Sequence, residues 1–172
     1  MEKQKIIGII SIVVIVVVIG YSLLNVYALE QLEFSGVDNI FRFFEMSTVN
    51  GKINICNNTF LPANFNQFNI LIYFERELLG TFTVDSTNIM PDSVFEANGK
   101  YMSSSMAQSQ SLFMHFDHLF SNSDNTIRID PRKMDVVMQF QTTIIGIPYL
   151  VTEQHTAFDF WNMLNDENNL SC

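Results

Sequence analysis

The chain has 172 residues, a net charge of −9 and sixteen phenylalanines. That length suits one domain with a real core, and the aromatic and aliphatic content excludes a disordered chain. An acidic chain repels phosphate backbones, which excludes nucleic acid as a partner, and it disfavours lying flat on anionic lipid headgroups.

Ile6 to Leu24 is an apolar run without charge or proline, its only polar side chains being Ser11, Tyr21 and Ser22. Nineteen residues at about 1.5 Å each span about 28 Å, close to the hydrocarbon core of a bilayer. The β-branched residues favour strand in water. In lipid a single segment must satisfy its own backbone hydrogen bonds, so the expectation is a transmembrane helix that takes membrane lipid as its partner. Lys3 and Lys5 precede the run, and no Lys or Arg follows it until Arg42. The positive-inside rule then places the N-terminus in the cytoplasm and the following domain outside. A signal peptide cut after Ala28, with Val26 and Ala28 as the small residues, is the competing reading. The run exceeds the usual h-region, which favours an uncleaved anchor. A pilin-type anchor fits poorly, because Ile7 precedes Gly8 and no acid lies between Glu2 and Glu30.

Residues 29–49 read as a connector with a short first strand that breaks at Ser35-Gly36, followed by an amphipathic segment from Val37 to Met46. Asn50-Gly51 signals a turn. Lys52 to Cys56 alternates as a strand, and Asn57 to Pro62 forms the loop after it. Phe68, Ile70, Ile72 and Phe74 share one face of the next strand. The chain reverses at Arg76-Glu77 and returns over Leu78 to Val84, with Gly80 as a bulge or packing point. Ile53, Ile55 and Phe82 or Val84 are expected beside that face. Another extended run covers Ile89 to Phe95, Asn98-Gly99 signals a second turn, and Lys100 to Met106 reads as strand. Leu112, Phe113, Phe116, Leu119 and Phe120 give Ser109 to Phe120 a helical stripe. Thr126 to Asp130, Met134 to Ile145 and Ile147 to Ala157 read as strands, the last two joined at Gly146. Phe158 to Cys172 reads as an acidic, Asn-rich tail anchored by Trp161.

Six or seven strands with one late helix predict a mainly β fold, an immunoglobulin-like antiparallel β-sandwich preceded by a single N-terminal transmembrane helix. The expected units are residues 1–28 as cytoplasmic N-terminus and anchor, 29–49 as connector, 50–160 as the sandwich and 161–172 as a polar tail. Cys56 and Cys172 are the two cysteines. Outside the cell they are free to pair, with two unpaired thiols as the equal alternative. Asn57 and Asn169 stand in glycosylation sequons, Asn169 being the better acceptor because Asn57 is suited to a turn.

Ile53-Asn54-Ile55-Cys56-Asn57, then Phe60-Leu61-Pro62, Tyr73 with Leu78-Leu79-Gly80, and Ile89-Met90-Pro91-Asp92-Ser93 together resemble the water-stress and hypersensitive-response domain, the type-two late embryogenesis abundant family. The likeness covers about residues 50–157. It departs from the family pattern where Asn58, not proline, follows Asn57, and where Met90 separates Ile89 from Pro91. The resemblance implies a small sandwich of two antiparallel sheets with one helix, a non-catalytic role in desiccation or stress protection, and shared motif residues that are structural.

Chemistry-bearing residues are few. His115-Phe116-Asp117-His118 sets two imidazoles one helical turn apart, with His155 or a carboxylate needed to complete a metal site. Two ligands do not make such a site, so edge positions on an amphipathic helix are the expectation. Ser103-Ser104-Ser105 lacks a nucleophile elbow and Cys56 lacks a neighbouring base. Asp124, Asn125 and Asp130 read as solvated acidic loop, and Met102, Met106 and Met114 as core filler. No P-loop, dinucleotide or calcium motif is present. No catalytic, cofactor or metal residue is therefore assigned. The expected function is a non-catalytic, membrane-anchored extracytoplasmic module, related to stress or to contacts at the cell envelope. The alternative is an accessory subunit of a larger membrane or envelope complex with protein partners. The span carries no small-x-x-x-small pair, which favours a simple anchor.

Overall fold

The structure is a computed structural model that describes residues 2–36, 49–104, 131–165 and 170–172. The apolar run forms helix α1, Glu2–Glu30, a helix long and apolar enough to cross a membrane. Ser11 Oγ donates to Ile7 O at 2.9 Å and Ser22 Oγ to Val18 O at 3.0 Å. Each hydroxyl is thereby returned to its own helix, which removes the cost of carrying it in an apolar run. The helix closes with Gln31 N donating to Ala28 O, and the chain passes directly into strand β1, Leu32–Gly36. Ser35 and Gly36 are the last two residues of that strand, and a single residue, Gln31, separates helix from sheet.

Six further strands follow: β2, Val49–Asn57; β3, Ala63–Phe74; β4, Glu77–Ile89; β5, Ser93–Ser103; β6, Met134–Ile144; and β7, Ile147–Thr156. A 3-10 turn, Pro131–Lys133, precedes β6, and helix α2, Ala157–Asn165, follows β7. Among the described residues all strand pairs are antiparallel, in the order β1-β2-β5-β4-β3-β6-β7. The mainly β, antiparallel class read from the sequence is the one observed. The described strands form one continuous sheet rather than two separate ones.

That sheet curls on itself. In a flat sheet β1 and β6, five places apart, would be about 24 Å distant at the usual strand spacing. Yet the Phe34 ring in β1 lies 6.0 Å from Phe140 in β6 and 5.5 Å from Phe68 in β3. Phe68 and Phe140 are direct cross-strand partners and stack at 4.4 Å. The result is a half-barrel filled by aromatic rings. Helix α2 packs on β1, β6 and β7 and bridges the open side, burying Ala157, Phe160 and Leu164. It starts where Thr156 Oγ1 accepts from Asp159 N at 3.1 Å and donates to Asp159 Oδ2 at 2.7 Å, an N-terminal cap. The first part of the expected polar tail, as far as Asn165, is therefore helix.

Within the sheet, Phe68, Ile70 and Ile72 are fully buried beside Ile53, Ile55, Phe82 and Val84, as the alternation predicts, and Phe74 is half-buried. The β3–β4 reversal falls on Glu75 and Arg76, both at positive φ, one residue earlier than expected. Pairing slips between Ile72 and Tyr73, which leaves Leu79 as the extra residue beside Gly80. A Cβ on Gly80 would meet the Tyr101 hydroxyl at 2.2 Å, so Gly80 is both the bulge neighbour and a packing point.

The two Asn-Gly pairs are not turns. Gly51 and Gly99 face each other within the β2–β5 pair. A Cβ on Gly99 would come within 2.2 Å of the Phe82 ring, and one on Gly51 within 2.9 Å. The glycines make room for an aromatic ring, a demand that arises only once β4 is placed. The run from Ile89 turns at Met90–Asp92 before β5 begins at Ser93. Cys56 and Cys172 form a disulfide with Cα atoms 5.9 Å apart, tying the C-terminus to β2. Glu33 holds the same tail, accepting from Ser171 N at 2.7 Å and from Ser171 Oγ at 2.9 Å. Val37 to Met46, the helix expected at Ser109 to Phe120, the strand at Thr126 to Asp130 and Asn169 lie outside the described residues.

Candidate functional site

The most distinctive arrangement of polar side chains sits where α1 meets the sheet. Asn25 is the first amide after the apolar run, and it is buried. Its Nδ2 donates to Asn64 O and to Thr142 Oγ1, both at 2.9 Å, and its Oδ1 accepts from Asn64 N at 2.7 Å. The side-chain amide thus presents to β3 the donor and acceptor that a neighbouring peptide would offer. One turn earlier, Ser22 Oγ faces Ile145 N at 3.5 Å. One turn later, Ala28 and Leu29 are fully buried in the domain core. The end of the apolar helix is therefore part of the folded domain.

Beside this junction lies a cleft of about 410 Å³ between α1 and the β6–β7 hairpin. Val18, Tyr21, Ser22 and Asn25 form its helix wall, Asn64 and Asn66 its floor, and Thr142, Thr143, Ile145 and Gly146 its hairpin wall. The lining offers amides, hydroxyls and apolar side chains. Most of its amide and hydroxyl capacity at Asn25, Asn64 and Thr142 is spent within the junction itself.

The sequence-level candidates fall elsewhere. His115, Asp117, His118, Asp124, Asn125, Asp130, Met106 and Met114 lie outside the described residues. His155 faces Glu153, its Nε2 lying 3.5 Å from Glu153 Oε2. Burial pushes the Glu153 carboxyl above its ordinary value, His155 pulls it back, and Glu30 pushes it up. Among the described residues no three His, Cys, Asp or Glu side chains gather in a group that could hold a metal. Cys56 is in the disulfide, and Met102 is exposed, not core filler.

Asn57 takes a structural role. It is fully buried, and its Nδ2 donates to Leu61 O at 2.8 Å and to Ile89 O and Met90 O at 3.2 Å. That amide ties the β2–β3 loop to the β4–β5 turn and is closed to a glycan. Asn25 escaped sequence reading because one amide at the end of an apolar run resembles an ordinary exit from the membrane. Its signal is the absence of any other polar group between Ser22 and Glu30 except Tyr27.

No family model matches the chain, and no curated protein matches it. Among solved structures it is similar to a protein from Archaeoglobus fulgidus, with 9% identity and a TM-score of 0.34, covering 73% of this chain and 94% of that one. It is also similar to a FixG-related protein from Vibrio parahaemolyticus, with 9% identity and a TM-score of 0.27 over the same shares.

Proposed function

We propose that this chain is a single-pass, membrane-anchored, extracytoplasmic and non-catalytic β module, held at the membrane surface in a fixed pose. The observation that carries this reading is the continuity of α1 with the domain. Cleavage after Ala28 would remove Asn25 and strip its hydrogen bonds from Asn64 and Thr142. It would also take Ala28 out of the core. A removable signal peptide has no reason to be built into the fold it leaves behind. Lys3 and Lys5 before the span, against Glu30 and Glu33 after it, support a cytoplasmic N-terminus.

Protease added to intact cells should remove epitopes beyond residue 36, and the mature protein should retain residues 2–28 by mass spectrometry. Protection in intact cells would reverse the orientation, and a mature N-terminus at Leu29 would replace the anchor by a signal peptide. Purification in gentle detergent tests the accessory-subunit alternative: stoichiometric partners would favour it over a module that acts alone.

The resemblance to the water-stress domain supplies a biological setting of stress or desiccation protection. What supports it is the structural use of its shared residues, Asn57 clamping two loops and Gly80 lying against Tyr101. Survival of a deletion strain after drying tests it. Survival equal to the parent strain would remove the stress role and leave the anchored module standing.

A further inference from the structure

We propose that the tip of the β6–β7 hairpin dips into the lipid beside α1, giving the domain a second point of attachment to the bilayer. The proposal rests on α1 being a membrane span.

The depth follows from contacts. Thr142 hydrogen-bonds Asn25, Ile145 lies against Ser22, and Gly146 lines the same cleft as Val18. From Asn25 back to Val18 the helix descends about 10 Å, and from Thr142 to Ile145 an extended strand covers about the same. The hairpin therefore runs alongside the helix toward its N-terminus. Ser22, against Ile145, lies two residues, or about 3 Å, inside the apolar run that ends at Leu24, and Val18, which lines the cleft with Gly146, lies about 9 Å inside it. A tip between these levels is below the end of the run and leaves water if the run is in lipid.

The composition fits that position. No charged residue occurs between Asp135 and Glu153. Ile145, Ile147, Tyr149 and Leu150 are exposed, Ile147 at 68%. Tyr149 and Tyr21, both exposed, stand where amphipathic rings collect at a membrane interface. At the opposite end of the sheet the β3–β4 hairpin uses the same kind of turn, with two residues at positive φ, but fills it with Glu75 and Arg76. The β6–β7 turn fills it with Ile145 at φ 53° and Gly146 at φ 77°. A β-branched residue is strained there, where Asn, Asp or Gly is favoured. An apolar side chain is kept at the tip against the preference of the backbone.

Among the described strands β7 is an edge, and unpaired N–H groups are costly in lipid. Pro148 opposite Thr143 eases this. That pair is one step from a two-residue loop and is not hydrogen-bonded, so the N–H that proline lacks would have pointed outward. The rest of the edge rises toward the headgroups. Because the contact is apolar, the acidic domain does not oppose it in neutral lipid.

The test uses the full chain in phosphatidylcholine vesicles. The native cysteines are both in the disulfide, so an environment-sensitive dye attaches only to an introduced cysteine. The sites are Ile147→Cys and Tyr149→Cys on the hairpin, Val13→Cys in the span and Met102→Cys at the far end of the sheet. All four residues are exposed, so substitution leaves the core intact. The expected result is blue-shifted emission at positions 147 and 149, quenched by lipids brominated on the upper acyl chain, with Met102→Cys unquenched. If Val13→Cys is quenched but the hairpin positions emit as in water, the hairpin proposal falls and the anchor stands. If Val13→Cys is also unquenched, the anchor reading falls with it. Blue-shifted hairpin emission that bromolipids leave unquenched would assign the tip to a second copy of the chain and overturn the lipid contact.

Discussion

Asn25 and Asn64 exchange two hydrogen bonds, one in each direction, across the junction of helix and sheet. Replacing Asn25 by Ala leaves the Asn64 N–H without its acceptor, while the Thr142 hydroxyl and the Asn64 carbonyl keep their bond to each other. An unsatisfied buried group costs about 1–3 kcal/mol. We expect Asn25→Ala to lower stability by that amount, about 1–3 kcal/mol. Chemical denaturation of the full chain in mild detergent measures it. A loss under about 0.5 kcal/mol, the range of surface changes, would show the clip to be idle.

Gly99 tests the packing under Phe82. A Cβ at Gly99 would lie 2.2 Å from the Phe82 ring, which is buried in the core. Gly99→Ala should destabilise by about 1–3 kcal/mol through overpacking. Phe82→Leu alone should also destabilise, by opening space. The double variant should be better than the sum of the two, since each change relieves the other. Additive losses would mean that the two residues do not compete for one volume.

The Cys56–Cys172 bridge closes a loop with a sequence separation of 116. Cys172→Ser should cost about 2–5 kcal/mol, as loss of a long-range disulfide does. It should also release the C-terminal residues that Glu33 holds. Carboxypeptidase trimming checks the second point: the oxidised chain should resist and the variant should be shortened.

Glu153 sets a pH dependence. Burial holds its folded-state pKa above the ordinary value of 4.5. The folded state then binds the proton more tightly than the unfolded state. The stability this contributes is full below the unfolded value and is lost as pH rises through the folded one. Glu153→Gln keeps the shape without the charge. Its stability relative to the native chain should therefore rise across that window and level off above it. Denaturation midpoints of both proteins across the weakly acidic range check this, and a difference constant with pH would refute it.

Local patterns were legible wherever a residue's role depends on its near neighbours. The period-two alternation of Phe68, Ile70 and Ile72 placed β3 and its buried face, and the strands on either side of Gly146 were readable for the same reason. Features set by distant partners were not. Gly51 and Gly99 look like turn residues until Phe82 is brought over them. Asn25 gains its meaning from Asn64 and Thr142, far along the chain. Helix α2 was within reach, because Thr156-Ala157-Phe158-Asp159 is a capping signature ahead of an apolar stripe, but the many Asn and Asp residues after it suggested a tail.

The absence of any hinge between α1 and β1 makes the protein a lever. Strand β3 runs from Asn64 at the junction to Phe74 beside the Glu75–Arg76 turn, a reach of about 33 Å. A membrane helix tilted by the common ~20° would swing that turn sideways by about 11 Å. A thinner or thicker bilayer, which changes the tilt, would thus be reported at the far end of the sheet as a displacement comparable to the width of a helix.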